Sequence, residues 1–252
     1  MSIFIHALAI VAATTILLLP QGCSKKPTTQ KNLSEAVLFA RGQQMEKQGK
    51  HENAAESFRQ IVERFPNSPL APESQFSLAS NLMKLKGARE AEAAFDDFLR
   101  LYPAHPKVPD ALFLKSELLR RQILLPGRAQ EKTRESITTY KRFLEKEQDT
   151  PRAETAVSRI KELNNHLLLH EEAIISHLIS TRKYDSAMLR AKRVLEEFPE
   201  AAQSDKFQSM LALAVKKQTK KDEAVDGAEQ PPTNLNETPT NIDEQTPKNP
   251  DN

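Results

Sequence analysis

Shifted by 37 residues, this chain matches itself: Ala54, Phe58 and Phe65-Pro66 recur as Ala91, Phe95 and Tyr102-Pro103. The same shift superposes Gly42, Ala79 and Ser116, all small, and Met45, Leu82 and Leu119, all large and apolar. A period of this size means a supersecondary unit stacked on copies of itself, because one unit has too little surface to bury its own apolar face. The unit is helical. Ala54, Phe58, Ile61, Val62 and Phe65 follow i, i+4, i+7, i+8, i+11, a stripe along one helix face, and Ala91, Phe95, Phe98, Leu99 and Tyr102 repeat it. Gly49 and Gly87 mark turns between paired helices, while Pro69 after Ser68 and Pro151 after Thr150 read as first-turn prolines behind N-caps. No strand pattern competes.

The third unit breaks the register. Phe95 plus one period predicts an aromatic at 132, but the matching Tyr140, with Phe143 behind it, comes later, so the extra residues fall in a loop around Gln122 to Lys132. That loop holds Ile123-Leu124-Leu125-Pro126-Gly127, an apolar tip that fits either a partner contact or folding back on its own helices. After Thr150-Pro151 a long helix is expected to run to about Ser180, then Ala187, Ala191, Val194 and Pro199 revive the repeat spacing, and residues 202–218 form a closing helix. The spacing Ala-x3-Phe, then Pro, with a small residue in the preceding helix, resembles the tetratricopeptide pattern. The expected fold is therefore all-α, a solenoid of about five tetratricopeptide-like helix pairs over residues 34–218.

The ends differ from this body. Ile3 to Leu19 carries no Asp, Glu, Lys or Arg and is short for a membrane-spanning helix, so it reads as the apolar part of a secretory signal. It runs into Leu19-Pro20-Gln21-Gly22-Cys23-Ser24, which resembles a bacterial lipoprotein signal; an uncleaved anchor helix is the alternative. The resemblance implies a signal peptide over 1–22, a lipid on Cys23, a linker over 23–33 and, through Ser24, delivery to the outer membrane. Beyond 218 the composition turns acidic and Pro-rich, with Val225, Leu235 and Ile242 as the large apolar side chains after Asp222. Residues 219–252 are therefore expected to be a disordered tail. With net charge +2 overall, this acidic end leaves the body basic, and Lys216, Lys217, Lys220 and Lys221 cluster where the two meet. No nucleic-acid motif accompanies them.

Composition argues against several chemistries. Six glycines, none grouped, provide no phosphate-cradling loop, and a single cysteine permits neither an internal disulfide nor a cysteine zinc site. His166, His170 and His177 share a helix face, but the last two are about 10.5 Å apart along the axis, which leaves only a His166/His170 pair beside Glu171. No catalytic residue, metal site or cofactor is expected beyond the lipid on Cys23, and the chain reads as a non-enzyme.

Arg64-Phe65-Pro66-Asn67-Ser68-Pro69, Phe98-Leu99-Arg100-Leu101-Tyr102-Pro103-Ala104-His105-Pro106, and Arg190 leading to Phe198-Pro199 resemble the BamD family of tetratricopeptide lipoproteins, as does the widened third unit. Arg182 stands where that family commonly has a turn glycine. The resemblance implies a non-enzymatic scaffold of the β-barrel assembly machinery, lipid-anchored in the outer membrane and facing the periplasm. Its implied partners are a BamA-type barrel met through its POTRA region, other assembly lipoproteins and unfolded outer-membrane proteins; Arg190 matches a family contact to BamA. Another envelope lipoprotein, coordinating cell-wall or division proteins, is the alternative. From the residues themselves, Phe39, Phe76 and Phe113 share one position on successive first helices. Two roles fit them: a peptide-gripping ladder on the concave face, or packing between stacked helices.

Overall fold

The computed structural model describes residues 33–85, 87–199 and 205–226. Nine α-helices occupy them: α1 (Glu35–Lys47), α2 (His51–Arg64), α3 (Ala71–Lys84), α4 (Ala88–Leu101), α5 (Val108–Arg120), α6 (Glu131–Leu144), α7 (Pro151–Ser180), α8 (Tyr184–Glu197) and α9 (Asp205–Asp226). Each packs on its neighbours in sequence, and the first helices α3 and α5, and α7 and α9, also touch. This is the expected all-α solenoid, with four pairs and a ninth helix among the described residues. The signal segment 1–22, Cys23, the linker up to residue 32 and residues 227–252 lie outside them.

The second helices carry the stripe that the period promised. Ala54, Phe58 and Ile61 on α2, Ala91, Phe95 and Phe98 on α4, and Tyr140 and Phe143 on α6 are all fully buried. Facing them, Gly42, Ala79 and Ser116 are buried as well. These three are not equivalent. A Cβ built on Gly42 would lie 2.8 Å from Cε1 and Cζ of the Phe58 ring, closer than side chains approach. Gly42→Ala should therefore destabilise the first pair by about 1–2 kcal/mol, the overpacking strain outweighing the ~1 kcal/mol gained in helix propensity. A denaturant titration showing Gly42→Ala as stable as the parent would remove this close approach.

The turns between pairs repeat as faithfully as the helices. Phe65 (φ −131°, ψ 52°) and Tyr102 (φ −128°, ψ 54°) leave α2 and α4 with nearly the same dihedrals, each driven out of the helix by the proline that follows. Ser68 N–H donates to the Phe65 carbonyl and His105 N–H to that of Tyr102. Pro69, expected in the first turn of the next helix, lies instead within this loop. The Ser68 hydroxyl accepts from Leu70 N–H, the loop runs to Leu70, and Pro72 takes the first turn of α3. Pro151 does open α7, behind a Thr150 cap that accepts from Ala153 N–H at 3.1 Å.

The links α1–α2 and α7–α8 share a second device. Lys50 N–H reaches back to Met45 O, and Lys183 N–H to Leu178 O, the long bond of a helix stop that needs a left-handed residue just before it. Gly49 supplies it at φ 70°, and Arg182 at φ 59°. An arginine held there costs about 1–2 kcal/mol relative to glycine. Arg182→Gly should raise stability by about 1 kcal/mol after the glycine's larger unfolded-state entropy is subtracted, a gain readable as a higher thermal midpoint.

Where the third pair meets α7, Glu117 of α5 accepts from the Tyr140 hydroxyl, pairs with Arg120 at 3.0 Å and lies 3.6 Å from Arg159 of α7. Burial pushes the Glu117 carboxyl up, but the hydrogen bonds from Arg120 and Tyr140 and the two guanidinium charges outweigh it and hold the group below its ordinary 4.5. The native state thus binds this proton more weakly than the unfolded chain. The stabilisation is complete above the ordinary value and fades as pH falls through the lower native one. Glu117→Gln should accordingly flatten the loss of stability on acidification below about pH 5; parallel parent and variant curves would exclude Glu117 as a source.

The last helix exceeds its expected length. Residues 219–226, assigned from composition to the tail, continue α9 to Asp226, with Gln218 donating to Asp222 one turn on. The reason is local: Lys, Glu and Ala are good helix formers, and the prolines begin only at Pro231.

Candidate functional site

On α7, Leu163, Leu167, Glu171, Ile175 and Ile179 recur every four residues and all are buried, so a carboxylate sits within an apolar stripe. A buried charge of this kind needs a partner. Arg190 of α8 supplies it: Nε donates to Glu171 Oε2 at 2.5 Å and Nη2 to Oε1 at 3.1 Å, a two-pronged match of planar groups. Ala187, Ala191 and Val194, all fully or nearly fully buried, fix the α8 face beside which Arg190 projects. Arg134 of α6 approaches the same carboxylate at 3.9 Å and also pairs with Glu197 at the end of α8.

Four side chains thus tie α6, α7 and α8 together. A cavity of about 220 Å³ opens next to them, lined by Arg134, Ile137, Lys141, Asn164, Glu197 and Phe198. Arg190 remains 32 % exposed, with Nη1 holding no hydrogen bond among the described residues. It is a structural clamp with donors to spare. In the sequence its partner Glu171 stands out only as a neighbour of two histidines, although a carboxylate on a four-residue apolar stripe is a signal available there.

The three phenylalanines are each half-buried and meet the aromatic core of their own pair edge-on. Phe39 lies 5.8 Å from Phe58, Phe76 lies 5.6 Å from Phe98, and Phe113 lies 6.0 Å from Tyr140 and 5.2 Å from Phe143, measured between ring centres. Cations from the next helix start flank two of them: Lys107 sits 4.7 Å above Phe76, and Arg152 sits 5.9 Å from Phe113. One edge of each ring therefore belongs to the core, and the rest reaches the surface of α1, α3 and α5.

The widened loop is fastened to the chain yet keeps an apolar tip. Gln130 donates to the carbonyls of Leu125, Pro126 and Arg128, and the His170 ring bonds the Pro126 carbonyl, while Leu124 and Leu125 are 55 % and 77 % exposed. His170 is thus engaged with the loop, His166 Nε2 is buried without a hydrogen-bond partner among the described residues, and His177 is exposed. Among the described residues no three His, Cys, Asp or Glu side chains converge to hold a metal, and no helix is long and apolar enough to cross a membrane.

Comparison with known proteins bears on the chain as a whole. A family described as YfiO, outer membrane lipoprotein, matches residues 31–229. Relatives named outer membrane protein assembly factor BamD include one from Xylella fastidiosa (strain Temecula1), 24 % identical, covering 78 % of this chain and 71 % of that one. The Neisseria gonorrhoeae protein of the same name is 25 % identical, over 80 % and 79 % of the two chains. Among solved structures, a thermophilic TPR protein of Thermus thermophilus aligns with a TM-score of 0.41 at 15 % identity, over 72 % of this chain and 99 % of that one. With the family match running from before the first pair to past the end of α9, the chain belongs to the YfiO family of outer membrane lipoproteins.

Proposed function

We propose that this protein is a non-enzymatic scaffold for assembling outer-membrane β-barrel proteins, held at the outer membrane by a lipid on Cys23 and facing the periplasm. The family match across residues 31–229 carries the reading. In it, the α6–α8 surface around Arg190 docks the POTRA region of a BamA-type barrel, with other assembly lipoproteins in the same complex. The half-exposed rings of Phe39, Phe76 and Phe113 offer an unfolded barrel protein a row of apolar contacts at repeat spacing. A stack of helix pairs suits such work, since it presents an extended face and holds it by neighbour contacts alone.

The test is affinity purification of the tagged full-length protein from mildly detergent-solubilised membranes, with mass spectrometry of its stoichiometric companions. A BamA-like barrel is the expected companion. Reproducible recovery of cell-wall or division proteins in its place would overturn the proposal in favour of an envelope coordinator. The intact mass of the same sample checks the anchor, which requires a chain starting at Cys23 with added acyl mass.

A further inference from the structure

At the far end of the array, α9 runs beside the α7–α8 link and leaves a basin of about 540 Å³. Its floor is apolar, with Ile179 from α7 and Val225 from α9, and Val225 is 57 % exposed. Its rim is cationic: Arg182, Lys217, Lys220 and Lys221, none of them in a salt bridge among the described residues. In this architecture the first helix of each pair packs on its second, and no described helix follows α9 to pack on it.

The residues directly after α9 have the complementary character. Residues 227–252 carry Glu229, Glu237, Asp243, Glu244 and Asp251 against one cation, Lys248. Their large apolar side chains are Leu235 and Ile242, and Ile242-Asp243-Glu244 sets an apolar group beside two carboxylates. We propose that this segment docks on the basin, with Ile242 on the apolar floor and Asp243 and Glu244 paired with the lysine rim. Residue 227 begins two positions beyond the floor residue Val225, so the segment is present at high effective concentration. The stretch from 226 to 242 spans about 55 Å when extended, ample to return over the last turns of α9, and closure entropy grows only logarithmically with loop length. The docked segment competes with any acidic partner for this end of the array.

Amide hydrogen exchange over residues 217–226 of the full chain in mild detergent tests this. In the parent, exchange at low salt should be several-fold slower than in about 0.5 M NaCl, which screens the pairs. Asp243→Lys with Glu244→Lys should accelerate low-salt exchange about tenfold, Lys217→Glu with Lys220→Glu should do the same, and the four changes together should restore protection. The combined variant separates lost docking from a helix weakened by its own substitutions. Exchange indifferent to the tail reversal overturns the proposal. So does protection that rises with protein concentration, which assigns the basin to a second copy, or protection that appears only with phosphatidylglycerol vesicles, which assigns it to a lipid surface.

Discussion

Phe58→Ala should lower stability by about 3–5 kcal/mol, and Phe95→Ala by a similar amount. Both rings are fully buried, and each joins a helix pair from within. Around Phe58 the packing has no slack, with the Gly42 backbone against one side of the ring and the Phe39 ring edge-on at 5.8 Å. Removing the ring leaves a cavity bounded on one side by helix backbone, which cannot collapse inward as flexible side chains would. In a solenoid the loss also weakens the interface to the next unit, since each pair is stabilised only by its neighbours. Chemical denaturation followed by circular dichroism measures the effect, with Leu101→Ala, at a side chain 48 % exposed, as the comparison expected to stay within about 0.5 kcal/mol. A loss below about 1 kcal/mol in both phenylalanine variants would overturn the pairing of Phe58 and Phe95 as equivalent core positions.

Arg190→Glu should cost about 3 kcal/mol or more, because it sets a second carboxylate against buried Glu171. Arg134, 3.9 Å from the same carboxylate, softens the loss without cancelling it. This bears directly on how a docking role for Arg190 can be tested. A single charge reversal confounds lost binding with lost folding. Replacing both partners with apolar residues, Glu171→Leu with Arg190→Met, removes the buried charges together and should return stability to within about 1 kcal/mol of the parent. Binding to a BamA-type POTRA fragment measured on that double variant then reports on the charged pair without the confounding loss of folding. If the single reversal and the double replacement are equally stable, the Glu171–Arg190 pair does not hold α7 to α8.

What the sequence makes legible follows from where each kind of information sits. Helix pairing, the length of α7 and the late Tyr140 are all written in spacings along one segment, and those spacings survive folding unchanged. The Glu171–Arg190 clamp and the Glu117–Tyr140–Arg159 contacts join different helices, and their geometry depends on how far one helix is rotated against the next. No linear spacing encodes that rotation. The phenylalanine position can be located but not divided between core and surface, because each ring does both. The end of α9 falls later than composition predicts for a simpler reason: averaging over the acidic segment hides eight residues whose own propensities favour helix.

The 30-residue α7 is a single element shared by both halves of the array. Its first turns are tied to the third pair through Arg152–Asp110 and Arg159–Glu117, and its last turns bury Ile175 and Ile179 near α8 and α9. At 1.5 Å per residue it is a beam of about 45 Å. A tilt of about 5° at its N-terminal mounting would sweep its far end through about 4 Å, enough to change which side chains meet there. Load taken up by the first three pairs would therefore arrive at the Arg190 end as leverage, without any intervening turn to absorb it.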